Sequence, residues 1–229
     1  MKKDLSAIHH IERLTQQYFN DGEIRSGLKT YRSLLEDYPK DRNYYINYIN
    51  FLLDESVIAE LLWPAYEEAV ACCDRAIFQL SEEEKLFFYV KKADVYVIMM
   101  DGDYQWYTDH QTEVNHFMET AVERYPTNVP LLKSVMAFYR MNSNQNKFDE
   151  ILDKLYQITP NDFMIVLQKV TSLEQHGNIE EGIDILENWI RINPESPYLA
   201  SSYNKIILMY KKVDNQDMAD TYQDLLDNQ

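Results

Sequence analysis

The chain has 229 residues, of which 45% are hydrophobic, so it is long enough to bury a substantial core. Five Gly and seven Pro are few for this length, which argues against a turn-rich sheet protein and favours long helices. The formal net charge of −16 argues against nucleic acid as the main partner, because phosphates are bound through basic side chains. The two cysteines, Cys72 and Cys73, are adjacent, which excludes a disulfide framework and a zinc site made of cysteines alone.

The N-terminal residues and the hydropathy pattern predict neither export nor membrane insertion. The charged residues Lys2, Lys3 and Asp4 are followed by no apolar run, so a secretory signal is not expected. No stretch approaches the roughly 18 uncharged apolar residues of a membrane-spanning helix. Cysteines without a disulfide framework fit a reducing compartment. We therefore expect a cytoplasmic protein with no membrane partner.

The first helical hairpin is predicted over 8–41. Apolar residues in its second half recur at i, i+4, i+7 and i+11, the spacing of one helix face, and these residues are Ile24, Leu28, Tyr31 and Leu35. Gly22 turns the chain before this helix, and Pro39 ends it. The preceding helix is marked by Ile11, Leu14 and Tyr18.

Five further hairpins follow in chain order, over 42–80, 85–126, 130–160, 163–196 and 200–229. The same spacing marks the second helices of three of them, at Tyr66, Val70, Cys73 and Ile77, at Val114, Met118, Ala121 and Tyr125, and at Ile179, Ile183, Leu186 and Ile190. Pro126, Pro160 and Pro194 end three of the hairpins. The chain finishes in an acidic segment, 213–229, which we interpret as a polar cap of the repeat, and a frayed tail is the alternative.

This repeat resembles the tetratricopeptide family, whose unit is a helix-turn-helix of about 34 residues. Two stretches match the family's positions best, 8–41 with Leu14, Tyr18, Gly27, Tyr31 and Pro39, and 163–196 with Leu173, Gly177, Gly182, Leu186 and Pro194. Small positions of other second helices are filled by Ala69, Ala76 and Ala121. The family's first-helix Trp and Gly are missing throughout, and extra length occurs around Asp54–Leu62 and between Asp101 and Glu113.

The resemblance implies an all-α, right-handed α-solenoid of about six stacked hairpins in a single domain, 1–229. It also implies a non-catalytic adaptor or scaffold that binds a peptide or protein segment in a concave groove lined by first helices. The alternative function is a cytoplasmic chaperone or an immunity protein that neutralises a cognate secreted effector or toxin.

Charge is unevenly divided between the two helices of each hairpin. The six first-helix windows contain eleven basic and three acidic residues, a net charge of +8, whereas the remainder of the chain carries −24. Because the resemblance places first helices along the groove, we expect a positive groove that favours acidic ligands and an acidic exterior that favours a basic protein. The alternative is that long lysines cover apolar seams with their stems.

Eight first-helix residues are the predicted partner-binding residues: Asn43, Asn47, Asn50, Lys91, Lys133, Arg140, Gln168 and Lys205. The three asparagines lie along one side of a helix, where amides can hydrogen-bond a peptide backbone, and a solvated face is the alternative. One subclass of the family clamps a C-terminal carboxylate with Lys, Asn and Arg, and Lys133, Gln168 and Lys205 approximate that pattern. Ala137 and Ser201 do not match its other two positions.

The sequence contains no arrangement of residues that predicts catalysis, and we expect no cofactor, no metal and no enzymatic activity. Residues 101–103 start like a calcium loop but lack the further ligands and the closing glutamate. Asp109, His110 and His116 do not match a zinc-ligand spacing. The sequence has no phosphate-binding glycine loop, nucleophile elbow or Cys–His pairing.

Two local stretches carry structural predictions. Ser81 and Glu84 predict a capping box at the start of a helix. The aromatic stretch 104–107 lengthens the third hairpin, either as a longer second helix or as a loop over the groove mouth. Its rings are accordingly either core residues or anchors for a partner.

Overall fold

Residues 23–228 are described by a computed structural model, and every regular element among them is an α-helix. The chain divides into two compact units, Met1–Tyr125 and Pro126–Gln229, called unit 1 and unit 2 below. The predicted all-α class is confirmed. The helix predicted around Ile11, Leu14 and Tyr18 lies outside the described residues.

The described part of unit 1 contains helices α1 (Ile24–Asp37), α2 (Arg42–Leu52), α3 (Glu55–Leu61), α4 (Trp63–Gln79), α5 (Glu82–Gly102) and α6 (Tyr104–Arg124). Helix α2 contacts α1 and α4, and α5 contacts α4 and α6. Aromatic rings fill the seams between these helices, because Tyr31 stacks on Tyr48 at 5.2 Å and Tyr45 meets the edge of Phe88 at 6.0 Å. The abundant tyrosines of the sequence therefore serve largely as core residues here.

The two predicted stretches of extra length in unit 1 are helical. The first forms the short helix α3, which begins after the N-cap Asp54. The second is absorbed by α5 and α6, which are 21 residues each. Of the two alternatives for 104–107, the longer helix is the one observed, and Trp106 packs between Trp63 and Tyr96 at ring distances of 5.9 and 5.8 Å.

The described part of unit 2 contains helices α7 (Val129–Met141), α8 (Gln145–Ile158), α9 (Phe163–Gln175), α10 (Ile179–Ile192), α11 (Leu199–Lys212) and α12 (Gln216–Asp227). Each helix contacts the next one along the chain. Trp189 of α10 joins two hairpins, because its ring lies 4.8 Å from Phe163 and its indole N–H donates to the carbonyl oxygen of Asn161 at 3.2 Å.

Helix boundaries lie at the proline, glycine and capping residues of the sequence. Four helices end two residues before a proline, which cannot donate the next backbone hydrogen bond, and these prolines are Pro39, Pro126, Pro160 and Pro194. The capping box at Ser81 is confirmed, since the backbone N–H of Ser81 donates to Glu84 Oε2 at 3.2 Å. Gly177 adopts φ +81° between α9 and α10, a conformation that favours glycine.

Small residues sit where adjacent helices approach closely. Gly27, Ala69, Ala76, Ala121, Gly182 and Ala219 are all buried. A Cβ atom at Gly182 would lie 2.7 Å from the terminal methyl carbon of Met209 on α11. The predicted polar cap is the packed helix α12, whose Ala219 is fully buried and whose Tyr222 hydroxyl donates to Glu187 of α10.

Candidate functional site

The eight predicted partner-binding residues divide equally between the two units. Asn43, Asn47 and Asn50 lie on α2 and Lys91 lies on α5, all in unit 1. Lys133, Arg140, Gln168 and Lys205 lie on α7, α9 and α11 of unit 2.

In unit 1 the asparagines follow one edge of α2. Asn43 and Asn50 are exposed and Asn47 is half-buried. The N-cap Asp41 fixes the start of the helix by accepting a hydrogen bond from the backbone N–H of Asn43 at 2.9 Å. This edge therefore presents amide side chains, each of which can donate and accept hydrogen bonds.

Lys91 lies beside an aromatic ring that it shares with a second cation. Its ammonium nitrogen is 5.9 Å from the centre of the Phe87 ring, and the guanidinium carbon of Arg42 is 5.6 Å from the same centre. The Nε atom of Arg42 is buried and donates to no acceptor among the described residues. Lys91 was predicted from the sequence, but the position of Arg42 over the same Phe87 ring was not, because Arg42 and Lys91 lie on different helices.

In unit 2 the predicted lysines are held by acidic residues of the same chain. Lys133 Nζ lies 2.8 Å from Asp162 Oδ2, and this hydrogen bond holds the pKa of Asp162 below its ordinary value. Lys205 Nζ and Lys212 Nζ each lie 2.6 Å from the carboxylate of Glu174. Burial acts to raise the pKa of Glu174, but the two ammonium groups outweigh burial and leave that pKa lowered.

Many of the basic residues counted along the first helices are already paired with carboxylates of the same chain. Ten of the basic first-helix residues lie within 23–228, and six of these ten form ion pairs there: Lys85, Lys92, Lys133, Lys169, Lys205 and Lys212. Three of these pairs use carboxylates of second helices or turns, Asp74, Asp153 and Asp162, and the other three use Glu82 of α5 and Glu174 of α9. A positive field along the first helices is consequently weaker than the sequence count implies, and a carboxylate ligand at Lys133 or Lys205 would compete with a resident one.

Arg140 and Gln168 are brought together in a cavity of about 310 Å³ in unit 2, called the Arg140 pocket below. Its walls come from α7, α8 and α9, and the lining residues are Arg140, Gln145, Phe148, Leu167, Gln168, Thr171, Ser172 and Gln175. Arg140 is exposed, and no carboxylate of residues 23–228 lies within ion-pair distance of its guanidinium. The Oε1 atom of Gln168 is buried and accepts no hydrogen bond within the described structure. The pocket thus combines a cation, an unsatisfied acceptor and apolar surface from Phe148 and Leu167.

Several residues of the Arg140 pocket were missed from the sequence. Leu167, Thr171 and Gln175 follow one another at four-residue spacing on α9, so they share a helix face that the predicted set did not include. Gln145 and Phe148 lie on α8, a second helix, and the expectation that only first helices line the groove excluded them.

Asp103, in the stretch that starts like a calcium loop, has a structural role at the beginning of a helix. Asp103 is the N-cap of α6, and its carboxylate accepts from the backbone N–H groups of Gln105 and Trp106. Within residues 23–228, no three His, Cys, Asp or Glu side chains are grouped to hold a metal ion. Cys72 and Cys73 are buried and free, and burial raises the pKa of the Cys72 thiol to about 12. In the same range, no helix has the length and apolarity needed to cross a membrane.

Known proteins resemble this chain in three-dimensional structure but not detectably in sequence. No protein-family model matches this chain, and no curated protein matches it by sequence. The structure of YrrB, described as a TPR protein with an unusual peptide-binding site, aligns with a TM-score of 0.54 and 18% identity over 85% of this chain and 89% of that one.

Two further solved structures support the same fold. A point mutant of MamA aligns with a TM-score of 0.51 and 15% identity over 82% of this chain and 96% of that one. TTC0263, a thermophilic TPR protein of Thermus thermophilus, aligns with a TM-score of 0.50 and 14% identity over 88% of this chain and 99% of that one. At these identities the likeness concerns the fold alone, and this chain has the all-α helical-repeat fold of tetratricopeptide proteins.

Proposed function

We propose that this chain is a non-catalytic module that binds a segment of another protein, and that the Arg140 pocket of unit 2 receives part of that segment. The observation that carries the proposal is that one cavity contains both an exposed arginine and a buried glutamine oxygen, and that residues 23–228 supply no carboxylate to the first and no donor to the second. Buried polar atoms in folded proteins nearly always have partners, so an unsatisfied one in a cavity wall favours a ligand that supplies a donor.

The chemistry of the pocket favours an acidic segment with an apolar side chain. Arg140 offers a guanidinium whose fork of N–H donors matches a carboxylate. Gln168 Oε1 offers an acceptor for a backbone N–H, and Phe148 and Leu167 offer apolar contact. The lysines of α7, α8 and α9 all form ion pairs within the chain, so Arg140 is the cation expected to bind the ligand.

The fold supports the part of the proposal that makes the ligand a protein segment. YrrB, which has the same fold, is described as having a peptide-binding site, and helical repeats expose long surfaces suited to extended segments. We further propose that the edge of α2 carrying Asn43, Asn47 and Asn50, with Lys91 of α5, is a contact surface of unit 1. The cytoplasm remains the predicted location.

A selection from a random peptide library on the immobilised full chain tests the proposal. We expect enrichment of sequences that combine Asp or Glu with an apolar residue. Arg140→Gln is expected to weaken the best peptide about tenfold in fluorescence anisotropy, because it removes the carboxylate's partner. Lys154→Gln is the matched control, since it removes one positive charge from α8 outside the pocket lining. Equal binding to the wild type and Arg140→Gln, or no enrichment, would contradict the proposal.

A further inference from the structure

Unit 2 has a second cavity whose chemistry is opposite to that of the Arg140 pocket. It measures about 440 Å³, lies among α10, α11 and α12, and is called the Glu187 pocket below. Its walls include the carboxylates of Asp184 and Glu187 and the rings of Tyr203 and Tyr222. None of its lining residues also lines the Arg140 pocket, so the two cavities can be tested separately.

The carboxylate of Glu187 is held in place by two tyrosine hydroxyls. Oε1 accepts hydrogen bonds from Tyr210 at 2.6 Å and from Tyr222 at 2.9 Å. These bonds fix the orientation of the side chain, and Oε2 accepts no hydrogen bond among the described residues. Burial and the adjacent Glu187 raise the pKa values of both tyrosines, so both hydroxyls stay protonated donors.

Aromatic rings stand beside this carboxylate. The rings of Tyr203 and Tyr222 are 5.8 Å apart, and the ring of Tyr210 stacks on Tyr222 at 5.8 Å. Asp184, which is exposed and belongs to no ion pair in the described part of the chain, adds a second negative charge to the wall. Tyrosine faces next to carboxylates attract organic cations through ring electrostatics and direct charge together.

We infer that the Glu187 pocket binds an arginine side chain of a partner protein. A planar guanidinium can stack on a tyrosine ring while it donates to a carboxylate, and a compact ammonium cannot do both as well. Leu225 of α12, which is 47% exposed in the wall, offers apolar contact to the aliphatic stem of such a side chain. The net charge of −16 adds a field that favours a basic partner at this surface.

One feature of the pocket opposes a cation. Arg191 also lines the wall, and its guanidinium donates to Asn188 Oδ1 at 2.6 Å. Two carboxylates still outnumber this single positive charge. Removal of Arg191 should therefore strengthen the binding of an incoming guanidinium, a direction that a general loss of structure would not produce.

The test is an NMR titration of the full chain labelled with ¹³C in its tyrosine rings. The probes are N-acetyl-arginine amide and N-acetyl-citrulline amide, which have nearly the same shape but differ in charge. We expect saturable shifts of Tyr203 and Tyr222 with the arginine compound and none with the citrulline compound. Saturation by both compounds, or by neither, would overturn the inference.

Substitutions in the Glu187 pocket test whether the arginine compound binds there. Glu187→Gln keeps an acceptor for the tyrosine hydroxyls but removes the charge, and we expect it to weaken the arginine compound about fivefold or more. Asp184→Asn should also weaken binding of the arginine compound. It removes the second carboxylate of the wall at an exposed position, where the substitution is not expected to disturb folding. Arg191→Gln should strengthen it.

Glu83→Gln is the control: it removes one negative charge, as Glu187→Gln does, but at an exposed position on α5 in unit 1. It should leave the affinity for the arginine compound almost unchanged. A loss at Glu83→Gln equal to that at Glu187→Gln would show only general attraction to an acidic protein. A loss of affinity at Arg191→Gln would also contradict the assignment.

Discussion

The ammonium nitrogen of Lys205 lies 2.6 Å from Oε2 of Glu174, so a lysine predicted to hold a ligand is held by its own chain. Lys212 contacts the other oxygen of the same carboxylate at 2.6 Å. Glu174, near the end of α9, therefore forms ion pairs with two cations of α11. This carboxylate limits how strongly that surface can attract an acidic segment.

Glu174→Gln should have opposite effects on binding and on stability. The substitution frees Lys205 and Lys212, so the affinity for an acidic peptide selected on the wild type should increase several-fold at low salt. The free energy of unfolding should fall by about 1 kcal/mol, because a half-buried ion pair is lost. Anisotropy at two salt concentrations and urea unfolding measure the two effects. Lower peptide affinity without loss of fold would show that Glu174 itself contacts the ligand.

Glu68 should make unit 1 sensitive to acid. Burial acts to raise the pKa of Glu68, but hydrogen bonds from Arg32 at 2.8 Å and from the Tyr48 hydroxyl at 2.8 Å outweigh burial and leave that pKa below its ordinary value of 4.5. A carboxyl with a lowered folded pKa contributes stability that is fully present above the unfolded pKa and is lost as pH falls through the folded value.

Urea unfolding between pH 7 and pH 3 measures this contribution. The wild type should lose stability progressively below about pH 4.5, and Glu68→Gln should be less stable at pH 7 but should lose less on acidification. Glu67→Gln is the control, because Glu67 is exposed on the same helix and forms no ion pair within the described residues. Parallel pH profiles for the wild type and Glu68→Gln would contradict the assignment.

Lys92 is a buried cation whose partner can be removed. Its ammonium nitrogen lies 2.6 Å from Asp74 Oδ1, and the rings of Tyr96 and Phe117 lie 5.1 and 4.8 Å away. Asp74→Asn should destabilise the chain by about 2 kcal/mol, since a buried charge loses its counter-ion. Adding Lys92→Met to that variant should recover most of the loss in urea unfolding. A double variant as unstable as Asp74→Asn would indicate that Asp74 acts through other contacts.

The adjacent thiols should be unreactive until the chain opens. Burial raises the pKa of Cys72 to about 12 and that of Cys73 well above its ordinary value, so the thiolate that reacts with alkylating agents is scarce at neutral pH. Mass spectrometry after treatment with iodoacetamide at pH 8 should find both cysteines unmodified in the native protein and both modified in urea. Rapid native modification of Cys73 would contradict the burial of this part of α4.

The sequence predicted the helices better than their charge environment. Apolar spacing and terminal prolines are local signals, so the second helices near Tyr31 and Leu186 could be placed from sequence. Ion pairs such as Lys205 with Glu174 join residues that are 31 positions apart, beyond the reach of any spacing rule within one helix. A count of charges along the first helices could therefore not show which lysines are already paired within the chain.

The candidate site was predicted in part for a similar reason. Arg140 and Gln168 lie on first helices and followed from the repeat, whereas Phe148 enters the pocket from a second helix. Only packing in three dimensions brings these residues to one cavity. The four-residue spacing of Leu167, Thr171 and Gln175 was readable from the sequence as a helix face, but the cavity beside it was not.

Photocrosslinking in cells tests the central proposal most directly. A crosslinking amino acid at Gln175, which is exposed in the lining of the Arg140 pocket, is compared with the same amino acid at Gln157, which is exposed on α8 outside the lining. We predict that Gln175 captures one discrete protein through an acidic segment, that Gln157 does not, and that adding Arg140→Gln abolishes the capture. The same products from both positions, or capture that persists in Arg140→Gln, would contradict the account.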